Sequence, residues 1–149
     1  MASYVLDTNV YVAADRDSEW AKGLQRFVTA FLPSIYLHGV IVQELLAGAV
    51  SRDRERLVEK SLISPFERRG RIVVPAFEAW KTAGRIVGRL VQKKHMSPGG
   101  FSRSFLNDCL LAASCLENGL TLITLNTGDF DLIRKVHTFK YTNPWPAGD

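Results

Sequence analysis

An α/β fold, with helices on both faces of a mostly parallel, four- to five-stranded sheet in three layers, is what this 149-residue sequence predicts. Short β-prone runs alternate with helix-patterned stretches along the whole chain, the order that builds a parallel sheet through helical crossovers. The strand runs are apolar rather than alternating, as strands covered on both faces are. The length suits a single domain spanning 1–149, and a composition of 46% hydrophobic and 23% charged residues supplies one sizeable core.

Tyr4-Val5-Leu6 reads as the first strand, and Asp7-Thr8-Asn9 after it as the capped start of a helix. From Ser18, the residues Trp20, Leu24, Phe27, Val28 and Phe31 recur every three or four positions, an amphipathic helix that Pro33 stops. Ile35-Tyr36-Leu37 is a second strand, followed by a helix carrying Val40, Ile41, Leu45 and Leu46 through Val50. The charged stretch from Arg52 to Lys60 continues as helix toward Pro65, and Ile72-Val73-Val74 forms a third strand. A long helix runs from Phe77 to near His95, and the Ser97-Pro98-Gly99-Gly100 segment is a loop. Another helix begins near Ser104, with Phe105, Leu106, Cys109, Leu110, Ala113 and Leu116 on one wide apolar stripe and Gly119 as its stop. Thr121-Leu122-Ile123 is a fourth strand, Asn126-Thr127-Gly128 a turn before a short helix over Phe130–Val136, and Phe139 to Tyr141 a final edge strand.

Composition narrows the function. The formal charge of +4 leans toward an anionic partner without demanding one. Cys109 and Cys115 fall on one helix about 9 Å apart, beyond the roughly 7 Å reach of a disulfide. Two buried, reduced thiols suit a cytoplasmic protein. There is no signal peptide pattern and no run near the ~18 apolar residues of a membrane span.

Function in an open parallel sheet collects beyond the carboxyl ends of its strands, where strand order reverses. Four acids follow that rule: Asp7 after the first strand, Glu44 opening a helix after the second, Asp108 opening a helix just before the fourth, and Asp129 after the fourth. Singly, each has an ordinary explanation as a helix-start acid, a cap or an exposed helix residue. Together they converge on one cleft. Clustered carboxylates repel, and a divalent cation removes the conflict by binding the ionised forms. All-oxygen ligands favour Mg²⁺ or Mn²⁺, whereas scattered His38, His95 and His137 and two isolated cysteines make no zinc site. A hard cation on carboxylates suits phosphodiester hydrolysis.

Through Leu6-Asp7-Thr8-Asn9, Gln43-Glu44-Leu45, Asn107-Asp108-Cys109-Leu110-Leu111-Ala112-Ala113, Thr124-Leu125-Asn126-Thr127-Gly128-Asp129-Phe130 and Asn143-Pro144-Trp145, the chain resembles the PIN-domain ribonucleases, and more narrowly the VapC-type toxins of toxin–antitoxin pairs. No single motif is specific; the ordered set covers nearly the whole chain. The resemblance implies a Mg²⁺- or Mn²⁺-dependent endoribonuclease in which Asp7, Glu44 and Asp108 are the core metal-binding acids. Asp129 is the fourth, although some members carry an acid where this chain has Asn126. Thr8 and Asn9 support the site, and Thr124 lies beside the metal. It further implies a homodimer and an antitoxin protein as partner.

Basic residues offer places for RNA phosphates: Lys93, Lys94 and Arg103 flank the glycine loop with no acid between them, while the Arg52–Lys60 stretch is diluted by its own acids. Trp20, Phe27 and Phe31, with Leu57, read as core, with a docking groove as the other reading. Three alternatives stay open: a PIN-like module that binds RNA or protein without cutting, a housekeeping RNA-processing nuclease, and a phosphatase with Asp7 as nucleophile. The last expects Asp-x-Asp-x-Thr at the first strand, where this chain has Asn9.

Overall fold

A computed structural model describes residues 2–146 of the chain. Five strands, β1 (Ser3–Leu6), β2 (Ile35–His38), β3 (Ile72–Val73), β4 (Leu120–Ile123) and β5 (Tyr141–Thr142), form one sheet in the order β3-β2-β1-β4-β5. Every pairing is parallel, with Tyr4 opposite Ile35 and Leu6 opposite Ile123. The chain builds outward from β1 to the β3 edge, then crosses back to place β4 on the other side of β1. Right-handed crossovers in opposite directions put their helices on opposite faces, which yields three layers.

One layer pairs α1 (Thr8–Arg16) with α2 (Ser18–Phe31); the other pairs α6 (Phe77–Gln92) with α7 (Arg103–Glu117). Between them, α3 (Gly39–Ala47), α4 (Arg52–Val58) and α5 (Ser64–Arg68) link β2 to β3, and α8 (Thr127–Arg134) follows β4. Val5, Leu6, Ile35, Leu37, Leu122 and Ile123 are almost wholly buried, as the uninterrupted apolar strands require. Helix α7 buries Phe105 and every residue from Asp108 to Cys115. Both cysteines are free and buried.

Several boundaries differ from the sequence reading for physical reasons. Helix α3 ends at Ala47, three residues before Val50, where Gly48 caps it. Pro65 does not stop the chain's helical path: a π-turn over Glu59–Ile63 widens the backbone just before α5, which Pro65 enters at its first turn, where no amide N–H is required. Helix α6 ends at Gln92, and Lys94 at φ 61° closes it as His95 N–H bonds the Leu90 carbonyl at 2.8 Å, so His95 lies outside the helix. The predicted turn at Thr127 and Gly128 is instead the first turn of α8, with Asn126 as its N-cap residue. The last strand lies at Tyr141–Thr142, and Phe139 is a core residue packed edge-on against Phe130 and stacked on Tyr141.

The aromatic residues of α2 divide. Phe27 is buried and, with Phe31, packs edge-on against Tyr4, while Trp145 stacks on Phe27 with ring centres 4.9 Å apart. Core is their role. Leu57 stands apart from them, 51% exposed on α4.

Candidate metal centre

The strand order reverses between β1 and β4, and at their carboxyl ends the chain concentrates hydrogen-bonding side chains. Asp7 directly follows β1, and its own N–H bonds the Ile123 carbonyl at 2.9 Å, which pins it to β4. As the N-cap of α1, it accepts from Thr8 N–H at Oδ1 (2.8 Å). Its Oδ2 accepts from the Thr124 hydroxyl (2.8 Å) and from the Asn9 amide (3.3 Å). Asn9 closes the corner from the other side: Leu125 N–H donates to its Oδ1 at 3.0 Å, and its Nδ2 lies 3.2 Å from Thr124 Oγ1. Thr124, wholly buried, also accepts from Asn126 N–H at 2.9 Å.

Glu44 is the sixth residue of α3, further along the helix than its opening turn, and the Thr8 hydroxyl donates to its Oε1 at 2.8 Å. Asp129 sits in the first turn of α8, its Oδ2 held by the Asn126 side-chain amide at 3.0 Å. Asn126 and Asp129, the two positions the sequence offered for the fourth site residue, are thus joined by a hydrogen bond. Asp108, on the buried face of α7, is 7% exposed, and its Oδ2 has no hydrogen-bond partner among the described residues.

Electrostatics couple Asp108 to the other three acids. Burial pushes the Asp108 carboxyl up to about 8, helped next by Asp7, then by the Asp129 carboxyl and by Glu44. Burial also raises Asp7, against the opposing pull of its Thr124, Thr8 and Asn9 hydrogen bonds. Glu44 is raised by burial and, to a smaller degree, by Asp7, while the Thr8 bond lowers it. Three of the four carboxyls, Asp7, Glu44 and Asp108, are thus biased toward their neutral forms.

This donor set fits a hard cation. The bare Asp108 Oδ2 is an acceptor lacking a positive partner, and the mutual repulsion is what a divalent ion relieves. Among the described residues, no three His, Cys, Asp or Glu side chains form a ready-made ligand group. Closing the set around an ion therefore requires side-chain movement, which Asp108 and the half-buried Glu44 are freer to make than the triply bonded Asp7.

Beside Glu44 a groove of about 380 Å³ opens between α1, α3 and α4, with Tyr11, Leu45, Leu57, Val58 and Leu62 in its walls. An Arg54–Asp15 ion pair bridges it. Leu57 belongs to this groove and not to the aromatic cluster of α2. Lys93, Lys94 and Arg103 are exposed near the α6–α7 loop, and none bonds to the four acids. His38 and Ser114 escaped the sequence reading: both are fully buried and bond to each other. The signal for His38 was its place at a strand-to-helix junction, where an acceptor side chain caps a helix.

The family model of the PIN domain matches residues 4–136. Among solved structures, the chain is similar to the DNA-bound VapBC of Salmonella typhimurium, with TM-score 0.70 and 19% identity over 96% of this chain and 98% of that one. It is also similar to VapBC2 of Rickettsia felis bound to a promoter DNA fragment, with TM-score 0.64 and 22% identity over 96% and 98%. A third is VapBC-5 of Mycobacterium tuberculosis, a member of the VapBC toxin–antitoxin systems, with TM-score 0.58 and 21% identity over 96% and 98%. No curated protein matches the chain.

Proposed function

Because the chain belongs to the PIN-domain family, we propose that it is a Mg²⁺- or Mn²⁺-dependent endoribonuclease, the toxin of a toxin–antitoxin pair. The observation that supports this reading best is the buried, unpaired Asp108 Oδ2, on a carboxyl electrostatically coupled to Asp7, Asp129 and Glu44. Asp7 is the fixed ligand, with three hydrogen bonds setting its orientation. Asp108 and Glu44 would be further ligands from α7 and α3, and Asp129 would be the fourth, hydrogen-bonded by Asn126. A bound cation in such a site polarises the phosphate and lowers the pKa of an attacking water.

The protein's residues supply the rest. Thr8 holds Glu44 so that a carboxylate oxygen stays aimed at the cleft. Thr124 and Asn9 orient Asp7, and their donated hydrogen bonds favour its ionised form. Exposed Lys93, Lys94 and Arg103 are the proposed holds for RNA phosphates.

A protein that silences the enzyme must cover the cleft, and the apolar groove beside Glu44 is the surface suited to an antitoxin segment. For the homodimer, Phe77 and Trp80 of α6 and Leu116 of α7 are more than half exposed. The bond from Ala76 N–H to the Glu117 carboxylate joins the two helices at this point. That apolar surface suits a second copy. A cytoplasmic site of action accords with reduced cysteines, and no helix among the described residues is long and apolar enough to cross a membrane.

The test is direct: purified protein with RNA and Mn²⁺ should yield cleavage products, and chelation should abolish them. Mn²⁺ binding without cleavage of any RNA would instead favour the binding-module reading.

A further inference from the structure

His38 lies at the last position of β2 and caps α3, the helix that carries Glu44. It is wholly buried. Its Nδ1 accepts from Val40 N–H at 3.1 Å, and its Nε2 stands 2.9 Å from the Ser114 hydroxyl. Since Nδ1 is an acceptor, the ring proton belongs on Nε2, which donates to Ser114. Ser114, also wholly buried, sits on α7, six residues beyond Asp108.

The two helices are held unequally. Helix α7 is buried from Asp108 to Cys115 and forms a stiff reference. Helix α3 buries only Val40 and Ile41, both in its first turn, and Glu44 lies about 9 Å along from the cap. Small rotations at the first turn are therefore magnified at Glu44.

We infer that His38 is a positioning residue that, through one imidazole, caps the Glu44 helix and ties it to the Asp108 helix, so setting the separation of these two carboxylates. This rests on the metal-site reading above. Burial lowers the His38 pKa to about 4, so the ring stays neutral and keeps one acceptor and one donor nitrogen at neutral pH. A charged imidazole, with two donors, would lose the cap.

Two substitutions separate the halves of this role. His38→Asn keeps an acceptor near the Nδ1 position but is too short for Ser114. His38→Gln reaches Ser114 but lacks the capping acceptor. Amide exchange in the metal-free protein, calorimetric titration with Mn²⁺, RNA cleavage and thermal melting are then compared. For His38→Asn we expect exchange at Val42–Leu46 to quicken and Mn²⁺ affinity to fall about tenfold, the lower end of the effect of losing a supporting contact. The loss in cleavage should fall on kcat more than on KM and should exceed what its melting temperature explains. His38→Gln should quicken exchange at Val40 alone and hold Mn²⁺ within about threefold of wild type. Wild-type exchange across α3 in His38→Asn, or equal losses in both variants, would overturn the inference. If the wild-type protein neither binds Mn²⁺ nor cuts RNA, the metal-site reading fails, and the exchange data alone decide whether His38 tethers α3 to α7.

Discussion

Asp7 and Asp108 are nearly equally buried, at 5% and 7% exposed, and face the same cleft, yet their surroundings are opposite. Asp7 accepts three hydrogen bonds from Thr8, Asn9 and Thr124, whereas Asp108 has an oxygen with none. The first is part of the architecture: it caps α1 and ties the β1 corner to β4. The second meets the Asp129 carboxyl, leaves its Oδ2 unpaired, and is pushed up to about 8 by burial and by its acidic neighbours. A buried carboxylate with no partner costs free energy, which a stable fold tolerates only if something else benefits. One wall of the cleft is thus rigid and complete, and the other is poised for a positive ligand.

The sharpest separation comes from replacing each acid by its amide. Asp108→Asn removes a cation ligand and should lower RNA cleavage by on the order of a hundredfold or more, while the metal-free protein at pH 8 melts higher than wild type because the repulsion has gone. Asp7→Asn should lower cleavage as much but melt lower. Its new amide donor would face the donating Asn9 amide at Oδ2, with a cost of about 1–3 kcal/mol. Calorimetry and a cleavage assay on the two variants check both halves. If both variants lose stability alike, the contrast between the two walls is wrong.

Next in size is the response to pH. The folded-state pKa of Asp108, about 8, lies above its ordinary value of 3.8, so the unfolded chain releases this proton first as pH rises. The metal-free protein should therefore be most stable near pH 4 with respect to this group, and lose that stability progressively up to about pH 8. Asp7 and Glu44 are shifted in the same direction and add to the slope. Mn²⁺ at a hundred times its Kd should add about 2.7 kcal/mol, or roughly 5–10 °C in a domain of this size. At a fixed Mn²⁺ concentration the gain should be larger at pH 8 than at pH 6, where protons compete with the ion and raise the apparent Kd. Melting curves of wild type and Asp108→Asn across this range test the assignment: the slope should shrink in Asp108→Asn to what Asp7 and Glu44 contribute, and an undiminished slope would place the main titrating group elsewhere.

The same contrast explains what the sequence revealed. Asp7-Thr8-Asn9 could be read because a strand end, a capping acid and a helix start are local, and Asp129 after β4 for the same reason. The three-layer fold was legible in the apolar strands and their alternation with helices. Long-range pairings were not: nothing local ties Thr124 to Asp7, 117 residues apart, or His38 to Ser114, 76 apart. The π-turn before Pro65 was also hidden, because proline signals a stop and a widened turn can accommodate it. Asp108 was found by its polarity on an apolar stripe, but its missing partner is a property of the assembled cleft.

The smallest expected effect concerns Asn126, the amide that presents Asp129. Both side chains are half-exposed, so water can replace their 3.0 Å hydrogen bond, and Asn126→Ala should cost about 0.5–1.5 kcal/mol of stability at most. Helix α8 should persist, because the Asn126 side chain gives its first turn no capping bond. Freed from the amide, Asp129 samples more rotamers, and cleavage should fall only a few-fold, far less than for Asp108→Asn. Asn126→Asp makes the opposite change: it sets a second carboxylate against Asp129, which should lower metal-free stability at neutral pH and strengthen Mn²⁺ binding. If Asn126→Ala instead abolished cleavage as fully as Asp108→Asn, Asn126 would itself contact the metal or the RNA. The supported wall of the cleft would then extend from Asp7 through Thr124 to Asn126, leaving Asp108 and Glu44 as the side that moves.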